Sequence, residues 1–130
     1  MARIIMTRNE LIKIGLDASD LPNMTLKGFK EMVYNWHIKP VMKGDKVVGV
    51  FYNKNAQVHF SILLEYRRKW FNRSIVREFL KPVFDVYGFI LTAVSDSKPY
   101  GHDIVKKFGF KEINREGLVT IYRLEVLKWV

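Results

Sequence analysis

The chain has 130 residues, 48% hydrophobic and 27% charged, a balance that excludes a disordered chain and fits one domain of ordinary size. It holds no cysteine, which excludes a disulfide framework, a cysteine-ligated zinc site and a cysteine nucleophile. The formal charge of +9, from 22 Lys and Arg against 13 Asp and Glu, predicts a polyanionic partner: nucleic acid, an anionic membrane surface or a phosphorylated cofactor.

No apolar run approaches the ~20 residues of a membrane helix. Met1 to Met6 is too short for a signal-peptide core, so a cytoplasmic protein with no membrane partner is expected. Without repeats or linkers, residues 1–130 read as a single domain. Residues 9–16 read as a helix with Leu11, Ile12 and Ile14 apolar, and 17–23 as a loop. Thr25 is a helix N-cap, and Leu26, Phe29, Met32, Val33 and Trp36 form one face of a helix over 26–36. A hairpin follows, with strands at 38–42 and 46–53 around Lys43-Gly44-Asp45. Residues 57–65 form a strand apolar on both faces, hence central.

The basic segment from Tyr66 to Arg73 then leads into a helix carrying Ile75, Val76, Phe79, Leu80, Val83 and Phe84. Pro82 kinks or splits it, and Gly88 ends it. Residues 89–95 are a strand, and 99–108 a helix with Pro99 in its first turn and Gly109 at its stop. Strands at 110–113 and 118–126 flank a turn at 114–117. The middle of the chain is a β-α-β unit with parallel pairing.

At the junction after the strand over 57–65, Arg67, Arg68, Lys69 and Arg73 are four basic residues within seven positions. Successive main-chain N–H groups and the positive end of a helix hold phosphates, and basic side chains add charge. Trp70 and Phe71 allow a second use, stacking on nucleic-acid bases beside that charge.

This order resembles the GNAT superfamily, the acetyl-CoA-dependent N-acetyltransferases. The likeness rests on strand, basic turn, helix, strand, helix, the Gly109-Phe110 pair and a closing hairpin. It is strongest over residues 46–126. In that family the loop Arg/Gln-x-x-Gly-x-Gly/Ala holds the cofactor pyrophosphate. Arg67 matches its first position, while Trp70 and Asn72 stand at the glycine positions. Lys98 stands at the family's usual Asn, Gly101 at its usual Ala, and Val105 at the tyrosine that protonates the departing thiolate. Tyr100 lies five residues earlier. Tryptophan after Arg-Lys looks like a variant of small GNAT-like proteins of bacteriophages.

The resemblance implies an α/β (α+β) fold: a mixed, mainly antiparallel sheet of six to seven strands, flanked by about four helices, with splayed central strands. It implies acetyl-CoA as cofactor and an amine-bearing small molecule or protein as acceptor. Leu63 and Leu64 would pair with the pantetheine arm. Arg67, Arg68, Lys69, Trp70, Phe71, Asn72, Arg73 and Lys98 would surround the rest of the cofactor. His59 or Glu65 would serve as the base for the amine. Ser61 shares their face of the strand.

Plainer readings stand beside these. His59 fits a hydrogen-bonded structural histidine, Glu65 an ion pair with an arginine, and His37 and His102 the surface. No His-x-x-x-His pair, Ser-His-Asp arrangement or Gly-x-x-x-x-Gly-Lys loop is present. Two alternatives to the enzyme remain: a catalytically inactive GNAT-like assembly protein, such as a virion component with phage particle proteins as partners, and a basic nucleic-acid-binding domain.

Overall fold

A computed structural model describes residues 6–127. Its elements in chain order are α1 (Arg8–Ser19), α2 (Leu26–Met32), β1 (His37–Lys43), β2 (Lys46–Lys54) and β3 (Gln57–Ile62). Then come α3 (Arg73–Ile75), α4 (Lys81–Tyr87), β4 (Ile90–Ser95), α5 (Pro99–Lys107), β5 (Lys111–Glu116) and β6 (Val119–Leu124). The six strands run in the order β1-β2-β3-β4-β6-β5. The β1–β2, β4–β6 and β5–β6 pairs are antiparallel, and β3–β4 is parallel. Strands β3 and β4 pair at Gln57↔Leu91, and the Leu91 N–H bonds the Ala56 carbonyl at 2.9 Å.

The chain divides into two compact units. One takes in the described residues up to Lys54 together with Phe60–Phe71; the other holds Asn55–His59 and the described residues from Asn72 onward. In the first unit Thr7 caps α1 through a reciprocal capping box with Glu10. Leu11, Ile12, Phe29, Val33, Val50 and Tyr52 form its buried cluster. Gly15 is required there, because a Cβ would lie 2.1 Å from the Tyr52 hydroxyl. Helix α2 stops at Met32, short of the predicted Trp36. The Val33 N–H reaches the Phe29 carbonyl at 3.1 Å, and the Trp36 N–H then bonds the Val33 carbonyl in a tighter turn at 3.0 Å. Phe29 and Val33 are buried, whereas Met32 is exposed, so the expected apolar stripe is narrower than its sequence pattern.

In the second unit, α3 runs through a π-helical stretch, Val76–Leu80, into α4. Pro82 explains the wide turn. It has no N–H to offer Glu78, and its ring crowds that carbonyl. The Lys81 N–H reaches back to the Val76 carbonyl instead. Val76, Phe79, Leu80, Ile90, Tyr122 and Leu124 are each 2% exposed or less, so the helix and the β4–β6 pair supply the core. Strand β3 ends three residues before the predicted Glu65. Strand β5 runs through the predicted turn to Glu116, leaving Gly117 at φ 60° to reverse the chain.

Candidate active site

In the first unit the corner after β3 is a chain of tight turns. Residues Leu64–Tyr66 form a 3-10 turn. The N–H groups of Tyr66, Arg67 and Lys69 bond the carbonyls of Leu63, Leu64 and Tyr66. The Leu63 N–H bonds the Val48 carbonyl on β2 at 2.9 Å, and Leu64 is exposed. Leu64 and Glu65 therefore lie in a turn rather than in the strand that sequence predicts for them. The cause is Arg67. Its Nε donates to the Ile62 carbonyl at 2.9 Å, while its guanidinium also donates to the Ala18 carbonyl and pairs with Asp20 at 2.9 and 2.5 Å. That side chain is 11% exposed. Arg68 and Lys69 beside it are exposed.

Trp70 is buried. Its ring packs at 4.8 Å against both Phe60 and Phe71, and Phe60 packs on Phe51 at 5.0 Å. The indole Nε1 is enclosed without a hydrogen-bond partner. Neither glycine position of the family loop has a backbone that demands glycine. Asn72 has φ −154°, and Trp70 is not among the residues with positive φ. The Asn72 side-chain oxygen caps the next helix by accepting the Ile75 N–H at 3.1 Å.

A polar network lies behind the corner in the same unit. The Ser19 hydroxyl donates to the Gly15 carbonyl at 2.6 Å and meets the Ser61 hydroxyl at 2.9 Å. Burial raises the Tyr52 pKa, the nearby Ser61 and Ser19 hydroxyls oppose that rise, and the Tyr52 hydroxyl itself is enclosed outside hydrogen-bond geometry. Sequence reasoning singled out Ser61 but neither Ser19 nor Tyr52. Serine in an amphipathic helix and tyrosine in a strand carry no signal of such a contact.

In the second unit, His59 is half-buried in β3, and burial pushes its imidazole from 6.5 down to about 4. The ring is therefore neutral at physiological pH. Arg73 is exposed at the first position of α3. Lys98 is half-buried at the N-cap position of α5. Gly101 lets α5 approach β4, since a Cβ there would lie 2.9 Å from the Val94 side chain. His102, expected at the surface, is half-buried instead. Its Nε2 lies 3.0 Å from the Ser95 carbonyl and its Nδ1 2.7 Å from the Tyr122 hydroxyl. A carbonyl only accepts, so Nε2 carries the proton, and in the neutral ring Nδ1 accepts from Tyr122. Burial, then Glu112, raise the Tyr122 pKa. No spacing in the sequence links positions 102 and 122.

Among the described residues no cluster of His, Asp or Glu is placed to hold a metal ion. No helix among them is long and apolar enough to cross a membrane.

No family model matches the sequence, and no curated protein matches it. Solved structures do match its fold. A chimera of spermidine N-acetyltransferase SpeG from Vibrio cholerae and hSSAT aligns with TM-score 0.66 and 16% identity, over 92% of each chain. A Desulfovibrio desulfuricans structure assigned to the GNAT acetyltransferase family aligns with TM-score 0.65 and 13% identity, over 88% of this chain and 89% of that one. A Bacillus subtilis acetyltransferase in complex with CoA aligns with TM-score 0.62 and 16% identity, over 95% of each. The chain has the fold of the GNAT acetyltransferases. At these identities the likeness is one of fold, and the chemistry must be argued from the residues themselves.

Proposed function

We propose that this chain transfers an acetyl group from acetyl-CoA to a primary amine. The observation that carries the proposal is the fold match over nearly the whole chain, one of the matching structures being a CoA complex. The residues at the β3 corner suit a phosphorylated ligand. Arg68, Lys69 and Arg73 are exposed cations within six positions. In the other unit, Arg73 opens a helix whose Ile75 N–H is taken by the Asn72 side chain, so there the side-chain charge of Arg73 would contribute. Arg67 serves differently. It fixes the corner through Ala18, Asp20 and Ile62, beside the exposed Arg68 and Lys69 that would meet the phosphates. At Leu63 and Leu64 the pantetheine arm would meet the Leu64 N–H and the two side chains, because the Leu63 N–H is bonded to Val48 and both carbonyls accept within the turn. Trp70 and Phe71 brace the corner from within, and Lys98 adds charge at the head of α5.

The cofactor supplies the acetyl group as a reactive thioester. The acceptor must arrive as the neutral amine, because an ammonium has no lone pair. His59 is neutral above about pH 4 and so is in the accepting form. As a weak base it orients the amine and takes its proton only as the C–N bond forms. Glu65, exposed at the corner, is the alternative base: as a carboxylate it would take the proton in place of His59. Val105 offers no donor to the leaving group. A thiol of pKa about 8.5 leaves as thiolate and is protonated by solvent.

Titration calorimetry with acetyl-CoA tests this reading. Micromolar binding is expected, weakened about tenfold or more in Arg68→Glu. Release of CoA thiol in the presence of small amines then reports turnover. No heat of binding at about 1 mM ligand would overturn the proposal.

A further inference from the structure

Strand β5 closes one end of the strand order, and each of its six residues is exposed. Its sequence is Lys111-Glu112-Ile113-Asn114-Arg115-Glu116. In a chain of net charge +9 this segment is neutral, with two cations and two carboxylates. Its order has a second property. Laid antiparallel against itself about the centre of 113 and 114, it sets Lys111 opposite Glu116 and Glu112 opposite Arg115. Each charge then meets its opposite, twice over by symmetry.

Faces decide whether such a pairing is stereochemically sound. Residues opposite each other in an antiparallel pair project from the same face. In a regular strand Lys111 and Glu116, five positions apart, would project from opposite faces. The bulge in β5 removes that conflict. Lys111, Asn114 and Glu116 pair with Arg123, Ile121 and Val119 of β6, alternate residues that share one face. Glu112 and Arg115 pair with Tyr122 and Thr120, on the other face. The register shift falls between Glu112 and Asn114, leaving Ile113 out of the β6 register. The bulge therefore sits at the centre of the charge pattern and brings each complementary pair onto one face. Ile113, 53% exposed, lies at that centre.

We propose that β5 is a self-pairing edge, through which two copies of this chain associate about a two-fold axis perpendicular to the sheet. A two-fold contact requires a surface complementary to itself. A charge order that survives reversal meets that requirement, and main-chain hydrogen bonding along the joined edges adds strand-to-strand contact. The net charge of +9 opposes the encounter at long range, so the dimer is weak and concentration-dependent. Arg115 already pairs with Asp96 and donates to Thr120. The outer pair, Lys111 with Glu116, is the cleaner probe.

Sedimentation velocity on the full chain, from about 5 to 500 µM, tests the inference. A monomer–dimer equilibrium is expected. Lys111→Glu places like charges opposite each other at both ends of the interface and raises the dissociation constant about tenfold. Glu116→Lys alone does the same. The exchange of both, Lys111→Glu with Glu116→Lys, restores the complement and returns the constant to within about threefold of the parent. Melting curves of all three proteins show that folding is intact. A monomer throughout the concentration range overturns the inference. So does a dimer indifferent to the single reversals, or one that the exchange fails to rescue. Acetyl-CoA binding is measured separately, so either proposal fails without the other.

Discussion

After β3 the chain takes ten residues to reach its next helix; after β4 it takes three. The long junction is held by its own side chains. Arg67 ties it to two carbonyls and a carboxylate, and Trp70 wedges it between Phe60 and Phe71. The short junction is tied to the closing hairpin instead, Asp96 pairing with Arg115 and its N–H bonding the Leu118 carbonyl. Proline at the head of α5 and the Ser95–Ser97 hydroxyl pair set its turn, and His102 ties the helix back to the strand end and to Tyr122. A long corner can present the exposed cations Arg68 and Lys69 because a mostly buried one, Arg67, stabilises its shape. A short one leaves that work to the helix and the closing hairpin.

The sharpest break of this contrast separates two neighbouring arginines. Arg67→Ala strands two part-buried carbonyls and removes a mostly buried side chain from the corner, while Asp20 stays in water, and should cost about 3 kcal/mol in urea unfolding. Arg68→Ala, at an exposed position, should cost under about 0.5 kcal/mol while weakening acetyl-CoA binding. If the two cost the same, the corner is not built on Arg67.

His59, on the strand leading into the long junction, gives a pH signature. Its folded pKa of about 4 lies below the ordinary 6.5, so between those values the unfolded chain binds a proton that the folded one refuses. Stability should hold above about pH 6.5 and decline as pH falls toward 4. Below that the His59 contribution is flat, the whole loss being at most about 3 kcal/mol. His59→Gln should remove that part of the slope. Denaturant midpoints measured across the range check it, and an unchanged slope would place His59 in a more hydrated setting.

At the short junction, His102→Ala should cost about 2 kcal/mol, because the Tyr122 hydroxyl is left buried without its acceptor. Tyr122→Phe should cost about 1 kcal/mol, and the double variant less than the sum. Additive losses would mean that the 2.7 Å contact carries no coupling.

These contrasts also mark what the sequence could reveal. The element order, the Thr25 cap and the effect of Pro82 were legible because periodicity, capping chemistry and a missing N–H act locally. The end of β3 was not. Leu63 and Leu64 continue an apolar run that reads as strand, and only a guanidinium arriving from Arg67 removes the Ile62 carbonyl from the ladder. His102 was misplaced for a similar reason. A histidine near the start of an amphipathic helix reads as solvated unless its distant partners, the Ser95 carbonyl and Tyr122, are known. Arg67 belongs to both groups: its position in the corner was visible, whereas its burial depends on Ala18 and Asp20, nearly fifty residues away.

The smallest expected effect concerns the indole of Trp70, at a position where the GNAT loop pattern has glycine. Trp70→Phe deletes ring volume from a packed aromatic cluster, which by itself costs about 1–2 kcal/mol. It also deletes a buried N–H that has no acceptor, and leaving such a group unpaired costs about 1–3 kcal/mol in the parent. The two terms oppose, so the net change in unfolding free energy should fall within about 1 kcal/mol of zero. Trp70→Ala lacks that compensation in volume and should lose about 3 kcal/mol or more. A large loss from Trp70→Phe would show that the N–H is satisfied in solution, and that the tryptophan holds the corner by a hydrogen bond as well as by its bulk. A negligible loss would leave bulk as its whole contribution, with Arg67, the turn bonds and the Asn72 cap supplying the polar fixation of the long junction.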